Sequence, residues 1–501
     1  LIINYLGHAN TRWLAHEKVI MINDIQQWRN FDRLFLFVTA TCEFSRFDDF
    51  ASKSAGEHAL FVPNGGSVGL LSTTRVVYAN PNMTLNKHFF QYVFAQRDDY
   101  IEGQGDKFYR LGDVLRLAKV ATGGQNKRNF MLLGDPALML HYPNAGMSVT
   151  QVNGTPITEE LDTLRALSVV ELKAEINALN TKDGFTGEAE ITLFDKAKEV
   201  TTLANRGGTP FVYTARESTI YKGRSSVVDN EFAAKFIVPK DIMYNYGHGR
   251  ISLYASDGIS IGAGFFEDFT VGGISGNIGG DTVGPQIELF MNNEKFVPGG
   301  TTDTSPKLIV SLADSSGINT TGVGIGHDLT ATVSGEQERT IVLNDYYVSD
   351  VDNFRQGKAE YQLTNLKEGE YKVSVKAWDV FNNSSEAQID FAVLSDSNLK
   401  LQHVLNYPNP FTESTGFYFE HNQPYSDFEV SIQIFSPSGK LVKTIEHYLP
   451  SDGGYRVGPM YWDGLDDFGD RIGRGVYFYK LRVKPTDGKV VEVYQKLVVL
   501  K

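Results

Sequence analysis

The sequence has a single cysteine, Cys42, among 501 residues. One thiol excludes an intramolecular disulfide and any zinc site built on several cysteines. No run of about 18 uninterrupted apolar residues occurs, so the sequence encodes no helix able to span a bilayer. Basic residues are outnumbered, with 47 Lys and Arg against 60 Asp and Glu and a net charge of −13. Phosphate recognition needs a basic surface, so nucleic-acid binding is set aside. Proline is scarce at 17, whereas Gly reaches 48, and there are 24 Tyr and 32 Phe. That composition favours short strands and tight turns. Scarce cysteine suits a reducing cytoplasm and equally a secreted bacterial protein free of stray thiols, so the compartment stays open. No signal peptide is visible. The chain starts at Leu1 inside an apolar run, and the natural N-terminus is expected to lie upstream.

A chain of this length exceeds one core, and at roughly 100–200 residues per domain it divides into three or four. Residues 1–144 read as α/β. Short apolar runs at 1–6, 33–40, 67–73 and 129–134 have the texture of strands buried in a parallel sheet. Helical patterns over 16–29, 84–97 and 111–121 lie between them. Alternation of this kind favours βαβ units. The texture then changes. Residues 145–280 carry strand-like runs such as "AEITLFD", "FAAKFIVP" and "RISLYASD" between Gly, Asn and Asp turns, as in a β-sandwich. A linker at 275–287 leads into a second β domain, 281–395, whose strands include 306–314, 339–348 and 370–380. A last β domain, 396–501, has a hairpin over 428–445 turning at Pro437–Gly439, and final strands at 475–483 and 493–500.

The first two apolar runs end on chemistry. "LIINYLGH" ends at His8, and "RLFLFVTATC" ends at Cys42, 34 residues later. That separation matches one strand–helix–strand unit. A right-handed crossover lays such strands parallel, with both C-terminal ends on one sheet edge, where open α/β folds bind ligands. A thiol with an ordinary pKa near 8.5 is a weak nucleophile at neutral pH, and a neighbouring imidazolium raises its thiolate fraction. The thiolate would attack a peptide carbonyl and His8 would protonate the leaving amine. The backbone N–H groups of Cys42 and Ala9 are the candidates for holding the oxyanion. Against this stands a plainer reading, a buried inert thiol and a structural histidine. The residues alone leave both open.

"NYLGHANTRW" (4–13) followed by "TATCEFSRFDD" (39–49) resembles the His and Cys motifs of the gingipain family, cysteine peptidases of the caspase-like clan. "GGSVGLLSTTR" (65–75) and "NFMLLGDPALML" (129–140) resemble that family's downstream segments. The wording "CEFSRFDD" is most similar to the branch acting as C-terminal signal peptidase, or sortase, of the type IX secretion system. The resemblance implies a caspase-like fold for 1–144, its C-terminal part, with His8 and Cys42 catalytic. One departure is Ala9, where the family often has Gly; a small residue keeps its N–H available. The family's histidine-orienting acid lies upstream of the His motif, which here falls before Leu1. Glu17, Asp48 and Asp49 read instead as surface or substrate-facing carboxylates. Glu43 and Asp48 are the candidates for substrate contact, against the plainer reading of solvated side chains.

"LNYPNPF" (405–411), "SIQIFSPSGKLV" (431–442), "YWDGLDDFGDRIGRGVYFYKL" (461–481) and "KLVVLK" (496–501) resemble the C-terminal domain of type IX secretion clients, related to FlgD-type immunoglobulin-like modules. The expected architecture is therefore a gingipain-like α/β domain followed by three all-β immunoglobulin-like sandwiches. The implied location is the surface of a Gram-negative cell, at the outer membrane. The implied partners are exported cargo proteins bearing type IX C-terminal domains, an outer-membrane β-barrel with other attachment components, and a lipopolysaccharide acceptor. A secreted degradative peptidase and an inactive surface scaffold or adhesin are the alternative functions. Three features are read as decoys. His248 in "NYGHGR" and His327 in "GIGHDL" are expected to be turn histidines. Asp463, Asp466, Asp467 and Asp470 lack the alternating ligands of an EF-hand loop. No cofactor and no metal site are expected, with calcium alone left open.

Overall fold

The computed structural model describes the chain apart from residues 29, 64, 102–106, 178–183, 206, 277–279, 325, 336–337, 395–398, 424–425, 451–453, 486–488 and 501. It forms two compact units, Leu1–Tyr142 and Pro143–Lys501. The first holds a four-stranded sheet in the order Ile2–Leu6, Phe35–Ala40, Ser67–Thr73, Phe130–Leu133. The first three strands run parallel and the fourth antiparallel.

The central strand explains the continuous apolar run in the sequence. All six residues of Phe35–Ala40 are buried, because side chains alternate between two covered faces. Leu36, Val38 and Ala40 join Leu71 against Leu85, Phe89 and Val93 of the helix Ala79–Val93 and Val114 and Ala118 of the helix Leu111–Ala121. Phe35, Phe37 and Leu70 face the other way, onto Leu14, Ile25, Phe44, Ala55 and Ala59. The helix Ala55–Phe61 on that face was not expected from the sequence. Ser54 starts it with a capping box, its side chain accepting from Glu57 N–H while the Glu57 carboxylate takes the Ser54 N–H at 2.7 Å.

The helix expected over 16–29 is not formed. Only Ile22–Ile25 is helical, preceded by two short antiparallel strands, Trp13–Leu14 and Ile20–Met21. Ala15 and Lys18 take positive φ of 61° and 57°, closing a turn that no helix accommodates. The Asp24 carboxylate caps the Met21 N–H at 2.7 Å, so the helical turn starts late. The loose apolar spacing of 16–29 reflects a small hairpin packed on the sheet.

Among its described residues the second unit is built of β-strands, with one 3-10 turn. Seven strands between Ala145 and Phe266 pair in one path, with Thr155–Pro156 paired at its side, and a three-stranded sheet accompanies them; their inward residues share one core. A four-stranded and a five-stranded sheet between Gln286 and Val393 enclose a second core. A three-stranded and a four-stranded sheet between Leu401 and Val499 enclose a third. The stretch 339–348, read as one strand, is two. Arg339–Val342 belongs to the five-stranded sheet, a 3-10 turn over Asn344–Tyr346 intervenes, and Tyr347–Asp350 crosses to the four-stranded one. The expected hairpin in the last region is present. Phe428–Phe435 pairs with Leu441–Leu449, and Gly439 holds φ +83° in the turn. Part of the linker read at 275–287 falls outside the described residues, and Gln286 already begins a strand.

Polar stitches tie the first two cores of this unit together. Asp352 accepts from Ser225 Oγ at 2.8 Å, Ser226 N–H at 2.9 Å and Ser226 Oγ at 2.6 Å. Within the first core region, Lys196 is almost fully buried. Its ammonium lies 2.6 Å from Asp195 Oδ1 and 2.8 Å from the Met243 carbonyl, and Asp195 Oδ2 accepts the Met243 N–H at 3.0 Å. Removing one member of a buried pair strands the other charge, at a cost of about 3–5 kcal/mol. Lys196→Met should destabilise this unit by that amount in urea unfolding, and the Asp195→Asn/Lys196→Met double variant should recover most of the loss. Equal destabilisation by the single and double variants would show that the pair is not coupled.

Candidate active site

The parallel register places the two candidate residues. Leu6 is opposite Ala40, and the Gly7 N–H continues the pairing to the Ala40 carbonyl at 3.4 Å. His8 and Cys42 are each two residues beyond this matched pair, so they leave neighbouring strands at one level of the same sheet edge. Cys42 is half-buried, and its thiol donates to the Val77 carbonyl at 3.5 Å. His8 is exposed. Its own carbonyl is held by the Tyr5 hydroxyl at 2.7 Å and the Ala15 N–H at 2.8 Å. Its ring lies 5.7 Å from that of His16, centroid to centroid. The imidazole and thiol are not hydrogen-bonded to each other, and catalytic contacts commonly tighten only around substrate. Among the described residues no carboxylate bonds the His8 ring.

The turn after His8 is built by Asn10, whose Oδ1 accepts the N–H groups of Arg12 at 2.8 Å and Trp13 at 3.0 Å. Ala9 pairs with Leu14. Neither the Ala9 N–H nor the Cys42 N–H has an acceptor among the described residues. Two free donors flanking a histidine and a thiol are what an oxyanion requires.

Around Cys42 the charged residues sort themselves. Glu43 stands at φ +51°, its N–H donating to the Arg75 carbonyl at 3.4 Å and its carboxylate 3.5 Å from Arg46. Asp48 takes both guanidinium nitrogens of Arg75, one at 3.0 Å, and this pairing holds its carboxyl below the usual range. Asp49 is spent locally on the Ala51 N–H at 3.0 Å. Arg75, just beyond the strand Ser67–Thr73, was not singled out from the sequence, although "GGSVGLLSTTR" ends on it. His16 was missed too, since nothing in the sequence brings it back beside His8.

Of the two threonines on either side of Ala40, Thr39 has a structural reason, whereas the Thr41 hydroxyl is buried with no partner among the described residues. Thr39 and Thr41 are fully buried. The Thr39 hydroxyl donates to Ser72 Oγ at 2.7 Å, and the Thr73 hydroxyl bonds the Thr41 carbonyl. Hydroxyl bonds from Thr39 and Thr73 thus join the two strands where they approach Cys42.

The decoys lie in the other unit. His248 is exposed on a two-residue strand paired with Thr270 and Val271. His327 Nδ1 is 2.6 Å from Asp241 Oδ2, and its ring packs 4.3 Å from that of Trp378. Asp466 Oδ1 accepts the N–H groups of Phe468 and Asp470, each at 2.9 Å, and Asp463 Oδ1 that of Leu465, so these carboxylates close a connection. Among the described residues one acidic trio can offer oxygens to a cation, Asp281, Asp314 and Asp379, with ligand atoms within 4.8 Å of one another. Burial pushes the Asp379 carboxyl up, while Phe381 N–H, Asn383 N–H and Asn383 Nδ2 donate to it. The sequence reading did not find this trio, because its members are spread over about a hundred residues.

Half-burial gives Cys42, which packs at the edge of the apolar core, a testable signature. In the native protein iodoacetamide should add once, at Cys42, as read by mass spectrometry; protection until denaturation would place the thiol in the core.

A thiol and an imidazole follow the ends of adjacent parallel strands, and the N–H groups of Ala9 and Cys42 have no acceptor among the described residues, an arrangement of the kind a cysteine peptidase uses. Comparison with known proteins places this part of the chain accordingly: residues 1–141 match the model of Peptidase family C25, the gingipain family. Among solved structures the chain is similar to dimeric latent PorU from Porphyromonas gingivalis. The identity is 28% over 87% of this chain and 41% of that one, with a TM-score of 0.33. It is also similar to the complex of pro- and mature domains of RgpB from the same organism, at 14% identity over 52% of this chain and 54% of that one, with a TM-score of 0.26. The chain thus spans about two-fifths of the length of the PorU structure. No curated protein sequence matches it.

Proposed function

We propose that the protein is a cell-surface cysteine endopeptidase and transpeptidase of the type IX secretion system. In this reading it removes C-terminal signal domains from exported cargo and transfers the cargo to lipopolysaccharide. The observation that carries the peptidase part is the parallel register that ends both His8 and Cys42 at one sheet edge. The wording around Cys42 and the C25 match support the choice of family member.

The proposed chemistry uses residues already placed. The Cys42 thiolate attacks the scissile carbonyl, and the oxyanion is met by the Cys42 and Ala9 N–H groups. His8 protonates the departing amine, leaving a thioester on Cys42. Arg75, Asp48 and Glu43 line the approach and contact the peptide on either side. No cofactor enters these steps. The acidic trio in the second unit is a place where calcium would serve stability.

The acyl-enzyme has two fates. Water is present at about 55 M, and an oriented amine with an effective molarity of about 10⁵ M or more outcompetes it. On a Gram-negative surface the abundant tethered amine acceptor is lipopolysaccharide. The β domains of the second unit would deliver the enzyme to the outer membrane, where a β-barrel partner and other attachment components hold it. We read these as immunoglobulin-like modules, and the first unit as caspase-like.

Cys42→Ala should abolish cargo processing with the fold intact, and His8→Ala should lose nearly as much, since members of a catalytic unit are not additive. His248→Ala should leave processing within about twofold, as surface turn substitutions do. Processing by the Cys42→Ala protein at the normal rate would end the peptidase reading. Mass spectrometry of mature cargo should find a sugar-linked adduct at the new C-terminus, displaced by a soluble glycine peptide. Cargo bearing solely free carboxylates, with acceptor present, would reduce the function to signal removal.

A further inference from the structure

Ala40 ends the central strand two residues before Cys42, and its carbonyl is the meeting point of three elements. It accepts the Gly7 N–H, one residue before His8, at 3.4 Å. It also accepts Asn82 Nδ2 at 2.5 Å. Asn82 stands in the first turn of the helix Ala79–Val93, and only 4% of it is exposed. Just ahead of that helix, the Val77 carbonyl is the acceptor for the Cys42 thiol. The segment 77–82 therefore grips the cysteine-bearing strand end twice, once on the main chain and once at sulfur.

The amide is an unexpected occupant of this position. Asn82 lies on the buried face of its helix with Leu85, Asn86, Phe89 and Val93, where an aliphatic side chain would pack without desolvating an amide. Its Oδ1 is buried with no donor among the described residues. Turning the amide over would set two carbonyl oxygens face to face, so its orientation is dictated by Ala40 alone. A buried polar group that leaves hydrogen-bonding capacity unspent calls for an explanation, and a role at a functional site is one of them.

We propose that Asn82 is a positioning residue for the Cys42–His8 pair: by holding the Ala40 carbonyl it sets where Cys42 emerges relative to His8. The proposal rests on the peptidase reading above. It assigns Asn82 no contact with substrate; its effect passes through the strand end. A misplacement of about 1 Å costs on the order of 10²-fold in rate, which sets the expected size.

The test uses the intact protein and two variants. Asn82→Ala removes the donor, and kcat for cargo processing should fall about 10- to 100-fold while KM stays within about twofold. Asn82→Asp is nearly isosteric. Its carboxylate repels the Ala40 carbonyl when ionised and donates to it when protonated. Burial at this position raises an introduced carboxyl above its ordinary range, so the kcat of Asn82→Asp relative to the unaltered protein should climb at least about tenfold as pH falls from about 8 to about 5, whereas the Asn82→Ala ratio stays flat. A packing role would lower melting temperature and rate together in both variants, with no pH-dependent recovery, and would overturn the proposal. Iodoacetamide alkylation of the sole thiol, followed against pH, separates the levels. A profile that shifts with His8→Ala and shifts likewise with Asn82→Ala supports the proposal. A profile that shifts with His8→Ala alone overturns the positioning role and leaves the peptidase reading standing. A profile indifferent to His8→Ala removes that reading, and the role of Asn82 with it.

Discussion

The first unit depends on one constraint: a strand whose six residues are all buried, Phe35–Ala40, must satisfy its backbone on both edges from within the sheet. Water cannot serve those N–H and C=O groups, so both neighbours are obliged to pair. Ile2–Leu6 and Ser67–Thr73 do so in parallel. Parallel pairing brings the C-terminal ends of three consecutive strands to the same edge. His8, Cys42 and Arg75 follow those three ends. The site is thus a consequence of how the core strand is completed, and not of any contact that the three residues make with one another.

The same strand shows how a core gives way to chemistry. Along Phe35–Val38 both faces are aromatic or aliphatic and pack on opposite layers. From Thr39 the side chains and carbonyls become hydrogen-bonding partners of Ser72, Thr73 and Asn82. Apolar contacts tolerate sliding, whereas hydrogen bonds specify distance and direction. A strand anchored by packing at one end and by directed bonds at the other delivers Cys42 to a defined place. The hairpin Trp13–Leu14/Ile20–Met21 does the equivalent for His8, through Ala15 N–H on the His8 carbonyl.

The second unit follows a different logic. Its three cores are each closed by sheets with alternating inward and outward residues, so each could be read by period. The first two are joined by Phe354, which packs against the first core, and by polar bonds. Asp352 reaches the Ser225–Ser226 strand, and Asp241 accepts from Asn319 at 2.9 Å and Asn382 at 2.8 Å. Such stitches join residues 78 to 141 positions apart, beyond anything a local pattern records. They join the first two β regions within the compact unit that runs from Pro143 onward.

The sequence by itself determined the strands of the first sheet, two of its helices, and that one histidine and one cysteine follow the ends of two of its strands. Those signals are local: apolar runs, helical spacing, and a separation that suits one crossover. It misjudged 16–29, because apolar spacing does not distinguish a short helix from a small hairpin, and the deciding bonds go to His8 and Asp24. It was silent on Asn82, His16 and the Asp48–Arg75 pair. An asparagine at a helix start reads as an ordinary capping or surface residue until Ala40, 42 positions earlier, lies against it. Burial, register and the direction of a single hydrogen bond are properties of the assembled chain, and only the tertiary structure decided them.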